Sequence, residues 1–578
     1  MTNMEAAWSL SEIADLLEIK GENQFKIRAY RNAAASIASL QDSLETLNNN
    51  GGLLQVPGVG KDIANKLEEM LATGRGTLLE KLRQEIPPGL LNITQLPGIG
   101  LGAARIIFQH TDIRDLQQLE KAARDRKIRT LPGLGPKTEL NIIRGIEIIQ
   151  TERDKSPLHL AMASAGILVK FLESLATIGQ VSLGGSLRRG KDMVHDIDIA
   201  ATAQDKTFVL DNFSKHPHLK EVTAVSENRL EAVTWLGVKV DLMLVAEADF
   251  IPVLHWSTGS KEHFREVAAF AEEKGFQLTG NQVLHNGESL NLQTEADIFE
   301  LLELPFIPPE IREGTGVIEA AREGRLPTLI ELSDIKGDLH VHSSWSDGIS
   351  TIEELVQAAV ARNYAYLAIT DHSKSLAIAN GLSWERLQEQ WKEIERLQYD
   401  YAPFRLLKGM EVDILKGGEL DFEPEVLEQL DIVVASIHSG FRQSSEILTS
   451  RLLSALRNPY VDIVAHPTGR ILGRRPPYDA DFNRFFEEAV ETATFLEINS
   501  SPDRLDLSAE HSRLAKDKGI MLAINTDAHD KARLGEIAFG VTNGRRGWLE
   551  AANVLNTRST EELLEILKDR RGKALRRK

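Results

Sequence analysis

The stretch GDLHVHSSWSDG, from Gly337 to Gly348, sets two histidines and two aspartates within twelve residues of a chain that holds 15 histidines in all. In an extended segment successive side chains point to opposite faces, so His340 and His342 face one way while Leu339 and Val341 face the other. Two imidazoles on one face can grip one cation. Further side chains of the same chemistry close short apolar runs downstream: Asp371-His372 after LAIT, Glu411 after LLKGM, His438 after VVASI, His466 after VDIVA, and Asp527 and His529 after LAIN. Any one of these histidines alone reads as a core or surface residue. As a set they do not, because six of the seven histidines beyond residue 330 fall at such positions and only His511 sits in a helical pattern. The chain has no cysteine, so a metal must be held by nitrogen and oxygen, a donor set that suits Mn2+ or Zn2+. Clustered ions of that kind lower the pKa of water and polarise a phosphoryl oxygen, which is the chemistry of phosphoester hydrolysis.

A second constellation lies in GGSLRRGKDMVHDIDIA, where Asp196 and Asp198 stand two apart in an expected strand and so share a face. Asp241, in VKVDLMLV, can join them from a neighbouring strand. Three carboxylates repel one another unless cations intervene, and two Mg2+ ions bridging them could hold a triphosphate in line with a 3′ hydroxyl. Upstream, Gly185, Ser186 and Arg189 offer a backbone N–H, a hydroxyl and a guanidinium to that triphosphate. The wet face of an ordinary strand explains a lone Asp-x-Asp, but poorly explains this Gly-Ser-x-Arg-Arg-Gly prefix.

The elements that must carry these groups are legible in outline. From 336 to 578, apolar runs such as YAYLAIT, LDIVVASI and ATFLEINS alternate with amphipathic stretches such as TIEELVQAAVARN and FNRFFEEAVETA. That rhythm predicts a β/α barrel, whose strand C-termini build the site. Residues 156–315 have the texture of short strands and helices, and the passage 316–335, following a Pro-rich stretch, reads as a linker. Residues 1–155 contain a repeat: QVPGVGKDIANKLEEML, QLPGIGLGAARIIFQH and TLPGLGPKTELNIIRGI. Each is Pro-Gly-x-Gly opening an amphipathic helix. Gly58 and Gly60, Gly98 and Gly100, and Gly133 and Gly135 permit tight turns that leave the helix N–H groups pointing outward to a phosphate. Such contacts grip DNA backbone without reading sequence. With 578 residues, 42% of them apolar, the chain can bury several cores. Its net charge of −18 means that any grip on DNA must come from local basic patches. The acidic start and the lack of an eighteen-residue apolar run predict a cytoplasmic protein with no membrane partner.

The histidine and carboxylate set resembles that of the polymerase and histidinol phosphatase (PHP) superfamily. Position by position, His340, His342, Asp347, His372, Glu411, His438, His466, Asp527 and His529 match its motif. The resemblance implies a site of three manganese, zinc or iron ions in a distorted barrel that hydrolyses phosphoesters. The aspartates and their prefix look like the palm of the family X DNA polymerases, within the nucleotidyltransferase superfamily. The order of hairpins, palm, thumb and barrel is similar to the bacterial branch, PolX, and LLEIKGENQFKIRAYRNAAASI and STGSKEH add to it. What this implies is a DNA-repair enzyme: a polymerase using dNTPs with Mg2+ or Mn2+ on the palm, joined to a 3′-5′ exonuclease and a further abasic-site nuclease. Its substrates would be gapped, nicked or 3′-end DNA, and a monomer is expected.

By the same resemblance Lys66 matches a Schiff-base lysine that removes 5′-deoxyribose phosphate, with Lys26 and Tyr30 beside a 5′-phosphate pocket. Around the nucleotide the sequence departs from the family. The glycine before Asp196 is His195, the Tyr-Phe pair before TGS is Trp256-Ser257, and the arginine two after the third aspartate is Met243. Phe264 replaces an asparagine and Ala268 an arginine. These departures predict weak or restricted synthesis beside intact hydrolysis. Two rival readings are a PHP phosphoesterase acting on a small molecule such as histidinol phosphate, and a non-catalytic DNA-binding scaffold. The three hairpins and the palm oppose the first, and the nine intact ligand types oppose the second.

Overall fold

A computed structural model of the chain describes residues 3–38, 44–73, 76–86, 101–136, 138–140, 142, 143, 146, 155–314, 316–441 and 443–576. It divides into two compact units, Met1–Arg153 with Gly473–Arg475, and Asp154–Leu472 with Pro476–Lys578. Among the described residues no helix is long and apolar enough to cross a membrane.

The first unit is helical. Helices Asn3–Lys20, Gln24–Ala38, Lys61–Thr73, Thr77–Glu85, Leu101–His110 and Leu116–Arg124 bury one apolar face each around Leu10, Ile13, Ile27, Leu67, Ile107 and Ile128. Two of the predicted hairpins share one turn: a 3-10 segment, Leu53–Gln55 or Ile128–Thr130, runs into Pro-Gly with the glycine in the left-handed region, φ 79° at Gly58 and 74° at Gly133. Gly98 and Gly100 of the middle copy lie outside the described residues.

The second unit opens with a five-stranded sheet: β1 Ile178–Leu183, β2 Asp196–Ala203, β3 Leu219–Val225, β4 Arg229–Thr234 and β5 Lys239–Val245. Its order is β1-β2-β5-β4-β3, with β2 and β5 parallel and the other pairs antiparallel. Val240, Leu242 and Leu244 of β5 enter the core, which leaves Asp241 and Met243 on the opposite face. Helices Phe250–Thr258 and Lys261–Glu273 and a small antiparallel ribbon over 276–289 form the thumb. The stretch 316–335, read above as a linker, is packed structure. Helix Val317–Arg322 buries Val317, Ile318, Ala320 and Ala321 in the thumb core, and Ile330 joins the core of the barrel.

The barrel has seven parallel strands in chain order: β6 Gly337–Asp338, β7 Tyr366–Ile369, β8 Arg405–Asp413, β9 Ile432–Ser436, β10 Ile463–Val464, β11 Phe495–Asn499 and β12 Leu522–Asn525. A parallel bridge between Val341 and Ala528 joins its two ends. Both faces of these strands are buried, which is why they read as continuous apolar runs. Tyr366, Ala368, Ile432 and Val434 pack with Leu563 and Leu567 of helix Thr560–Arg576, while Leu367, Ile369, Val433 and Ala435 pack against the surrounding helices.

Candidate active sites

β6 stops at Asp338, so His340 and His342 follow the strand rather than lie within it, in a segment pinned by the Val341–Ala528 bridge. They converge all the same. Their Nε2 atoms are 3.2 Å apart, and Asp527 Oδ1 lies 3.1 Å from His342 Nε2. Among the described residues three groups of donor atoms form, each within 4.8 Å: His340, His342 and Asp527; His342, Asp347, His372 and His529; and His372, Glu411 and His438. His466 flanks them, with Nε2 3.0 Å from Glu411 Oε1. His466 and Asp527 hold left-handed backbone, φ 30° and 55°, a strain of about 1–3 kcal/mol that the surroundings must impose. His511, the exception in the sequence, lies on helix Ala509–Asp517 stacked on Phe482.

The electrostatics are those of a site built for cations. Burial, with His529 and His372 alongside, pushes His342 down to about 3 and keeps it neutral, as a ligating imidazole must be. Against burial, the Glu411 charge raises His372 to about 10 and His438 to about 9, so protons on these rings balance the carboxylate when no metal does. His372 Nδ1 and Glu411 Oε2 lie 2.9 Å apart without hydrogen-bonding geometry, as two ligands of one ion would. The nitrogen and oxygen donors fit divalent metal ions.

Behind the donor groups stands a ring that sequence reasoning missed. Glu497, fully buried on β11, accepts from His340 Nδ1 at 2.7 Å, His466 N at 2.8 Å, Asn525 Nδ2 at 3.0 Å and Asn499 Nδ2 at 3.2 Å. Asp413 accepts from His438 Nδ1 at 2.8 Å. Asp371, adjacent to His372 in sequence, joins none of the groups; it accepts from Ser343 N, Ser343 Oγ, Ser346 Oγ and Gln390 Nε2 and so fixes the loop that carries Asp347. Partners of this kind set the tautomer and direction of ligating imidazoles.

On the palm, Asp198 and Asp241 are Cα partners across β2 and β5, with Asp196 two residues earlier on the same face. Burial, and then the charges of Asp196 and Asp241, push Asp198 up to about 7, and burial raises Asp196 as well. These carboxylates fit divalent ions for the same reason that they repel each other. Gly185, φ 62°, brings backbone so close that a Cβ there would fall 1.9 Å from Asp198 Oδ2. Ser186 is half-buried beside it. Arg189 is buried and engaged: Nη1 donates to Thr258 O at 2.5 Å and Nε to Glu313 Oε1 at 3.1 Å. Asp241 is held by a cation the sequence did not single out, Arg229, through Nε at 2.7 Å and Nη2 at 2.6 Å.

Family models match the chain in four places: a helix-hairpin-helix domain over residues 1–76, a SAM-like helix-hairpin-helix tandem over 90–147, the DNA polymerase beta thumb over 253–313 and a PHP domain over 338–501. A relative from Bacillus subtilis, DNA polymerase/3'-5' exonuclease PolX, is 38% identical over 563 residues, which cover 97% of this chain and 98% of that protein. The chain belongs to the PolX family. Shorter relatives match part of the chain. A probable phosphatase of a Thermoanaerobacter species is 30% identical over 247 residues, 41% of this chain and 96% of that protein, and one of Caldanaerobacter subterraneus is 31% identical over 204 residues, 33% of this chain and 75% of that protein.

The positions at which the resemblance to the family X polymerases implies other residues are used otherwise here. Phe264 and Ala268, on helix Lys261–Glu273, lie against the thumb core. His195 is exposed beside Asp196, Ser257 Oγ donates to Leu254 O at 3.2 Å, and the half-exposed Trp256 lies over Gly280. Met243, where the resemblance implies an arginine, is the Cα partner of Arg229. The charge expected to be lost is therefore displaced by one strand.

In the helical unit, Lys26, Tyr30, Gly58 and Gly60 line one groove with Asp62. Tyr30 donates to Asp62 Oδ2 at 3.4 Å, and Lys66 Nζ donates to Asp62 Oδ1 at 2.5 Å. That hydrogen bond, before any other influence, lowers the Asp62 carboxyl. Gly58 is glycine for its own fold, since a Cβ there would meet Asn32 and Ala33 backbone at 3.2 Å. Gly60 and Gly135 are not: neither has a left-handed backbone, and a Cβ on either would meet nothing within 4 Å. Glycines that neither turn nor packing requires fit the close approach of a ligand to the backbone.

Proposed function

We propose that the chain is a DNA-repair enzyme that trims 3′ ends at the barrel and extends them at the palm, gripping DNA backbone through its hairpins. The observation that carries this reading is the meeting of three donor groups at the barrel mouth in a chain 38% identical, over nearly its full length, to a DNA polymerase/3'-5' exonuclease. Mn2+ or Zn2+ held by His340, His342, Asp347, His372, Glu411, His438, His466, Asp527 and His529 would supply Lewis acidity to a scissile phosphodiester. Around it, Glu497 and Asp413 keep His340 and His438 oriented, and Asp371 keeps the Asp347 loop in place. An abasic-site nuclease draws on the same machinery. On the palm, Asp196, Asp198 and Asp241 hold Mg2+ or Mn2+, while Gly185 and Ser186 receive the triphosphate of a dNTP, and Arg189 does so once freed from Thr258 and Glu313. Lyase chemistry at Lys66 would require its Nζ to be released from Asp62 and uncharged. A monomer working in the bacterial cytoplasm on gapped, nicked or 3′-end DNA completes the reading.

The test is a nuclease assay on 3′-recessed and single-stranded DNA with Mn2+, with histidinol phosphate as the competing substrate. Trimming that disappears in His342→Ala supports the proposal. Hydrolysis of the small phosphomonoester without any trimming would assign the barrel to the chemistry of its phosphatase relatives. Primer extension by His342→Ala, with Asp198→Ala added as control, reads the palm separately: slow, gap-restricted synthesis is expected, and none at all would leave the palm a DNA-positioning element.

A further inference from the structure

We propose that Arg229 is a displaceable counter-cation of the palm, holding Asp241 until a divalent ion arrives and then passing to Glu231, so that it sets how tightly the palm takes metal. The inference rests on reading Asp196, Asp198 and Asp241 as metal ligands. The guanidinium occupies both carboxylate oxygens of Asp241 at once, at 2.7 and 2.6 Å, so no metal can use that carboxylate fully while the fork is in place. Release is cheap in packing, because the Arg229 side chain is 50% exposed whereas Asp241 is only 15% exposed. A second acceptor is already within reach: Glu231 Oε1 stands 3.2 Å from Arg229 Nη2 and is 45% exposed. Register makes this a built arrangement. In the β4–β5 pair Arg229 lies opposite Met243 and Glu231 opposite Asp241, which presents both carboxylates to one guanidinium. Met243 carries no charge, and of the cations on β4 and β5 Arg229 is the one whose fork closes on both oxygens of Asp241, while Lys239, two residues away on the same face of β5, adds its charge beside Asp196. Arg229 therefore relieves the repulsion among three carboxylates on one face when metal is absent and competes with metal when it is present.

The experiment is Mn2+ titration of the full chain followed by electron paramagnetic resonance, with Asp198→Ala defining which sites belong to the palm. Arg229→Met should tighten those sites about threefold to fivefold, the upper end matching about 1 kcal/mol for a half-exposed pair. Arg229→Lys should fall between, because an ammonium cannot bridge both oxygens. Glu231→Gln should weaken the sites about twofold by removing the second acceptor. Thermal unfolding of each variant confirms that it is folded. Unchanged or weaker palm binding in both Arg229 variants overturns the proposal. Mn2+ uptake that Asp198→Ala leaves whole would sink the metal reading of the palm itself, and the proposal with it.

Discussion

Glu497→Gln tests whether the ring behind the barrel ligands governs the grip on metal. Each oxygen of Glu497 receives two donors: His340 Nδ1 and Asn525 Nδ2 on Oε1, His466 N and Asn499 Nδ2 on Oε2. Glutamine keeps the shape but turns one oxygen into an NH2 group, which faces two donors and accepts from neither. A flipped asparagine amide recovers this bond only by turning its NH2 on a backbone N–H, Ser501 N for Asn499 or Leu339 N for Asn525, which its oxygen accepts at present. The backbone N–H of His466 cannot turn at all, and losing its partner costs about 1–3 kcal/mol. His340 can recover only by moving its proton to Nε2, the atom that lies 3.2 Å from His342 Nε2 and 3.4 Å from Glu411 Oε2. A proton there blocks the lone pair a metal needs. Either rotamer of the glutamine therefore damages the site, and the expected loss is about tenfold to a hundredfold in metal affinity. The assay is retained metal after dialysis against a chelator buffer, together with the Mn2+ dependence of 3′-end trimming. The midpoint of that dependence should rise by the same factor, while trimming at saturating Mn2+ recovers most of its rate. An unchanged midpoint would refute the orienting role, and trimming lost at every Mn2+ concentration with metal still bound would show that Glu497 acts on the reacting atoms instead.

Other outcomes follow from single contacts. His342 serves two of the three donor groups and His438 one, so His342→Ala should release more metal and lower trimming further than His438→Ala, with DNA affinity intact in both; metal analysis beside a gel-shift series decides it. Gly60→Val and Gly135→Val fill open space on unstrained backbone but place valine where a carbonyl opens a helix, Gly60 O accepting from Ala64 N and Gly135 O from Glu139 N, so folding should lose only about 1 kcal/mol. DNA binding should nevertheless weaken several-fold, equally for unrelated sequences, and a variant that binds normally would remove the phosphate from those turns. In the thumb, Glu295 is buried between Arg312, at 2.6 Å, and Arg188, at 2.5 Å. Burial pushes its carboxyl up, but the His255 ring, with Nδ1 3.6 Å from Oε1, and the two arginine charges outweigh it and hold the group well below the usual range. Its stabilisation is thus full above the unfolded-state value of about 4.3 and is lost as pH falls through and below that value. Glu295→Gln should cost about 3–5 kcal/mol at neutral pH by stranding buried Arg312, and the gap from wild type in urea unfolding should narrow as pH falls from 5 to 3. A constant gap would show that the loss is packing rather than charge.

Residue type and spacing made the barrel donors legible: histidines at the ends of apolar runs have few other reasons to recur. They could not separate donors from the residues that orient them. Glu497 sits in an apolar run as Glu411 does, and Asp371 touches His372 in sequence, yet both accept from the loop or ring that holds the site while Glu411 enters a donor group. That difference is one of direction, which depends on how β11 and β8 lie in the closed barrel. The misread passage 316–335 shows the same limit. Nearby prolines and glycines suggested a linker, but Val317, Ile318, Ala320 and Ala321 carry an apolar face that needs the thumb beside it to have meaning.

The palm carries the argument furthest. Met243, scanned along its own strand, says that a positive charge is missing beside Asp241. Arg229 lies fourteen positions earlier in the chain, past the Glu231 register pair and the turn, and only the antiparallel register of β4 and β5 sets it across from Met243. A pattern compared position by position counts a loss, whereas the electrostatics of the site depend on the sum of charges over one face of a sheet. The departures at Phe264 and Ala268 differ in kind, because their side chains pack against the thumb core. On the function proposed above, Asp196, Asp198 and Asp241 with Arg229 set across from Met243, beside a helix whose Phe264 and Ala268 pack against the thumb core, predict a palm that takes metal but checks the nascent pair poorly.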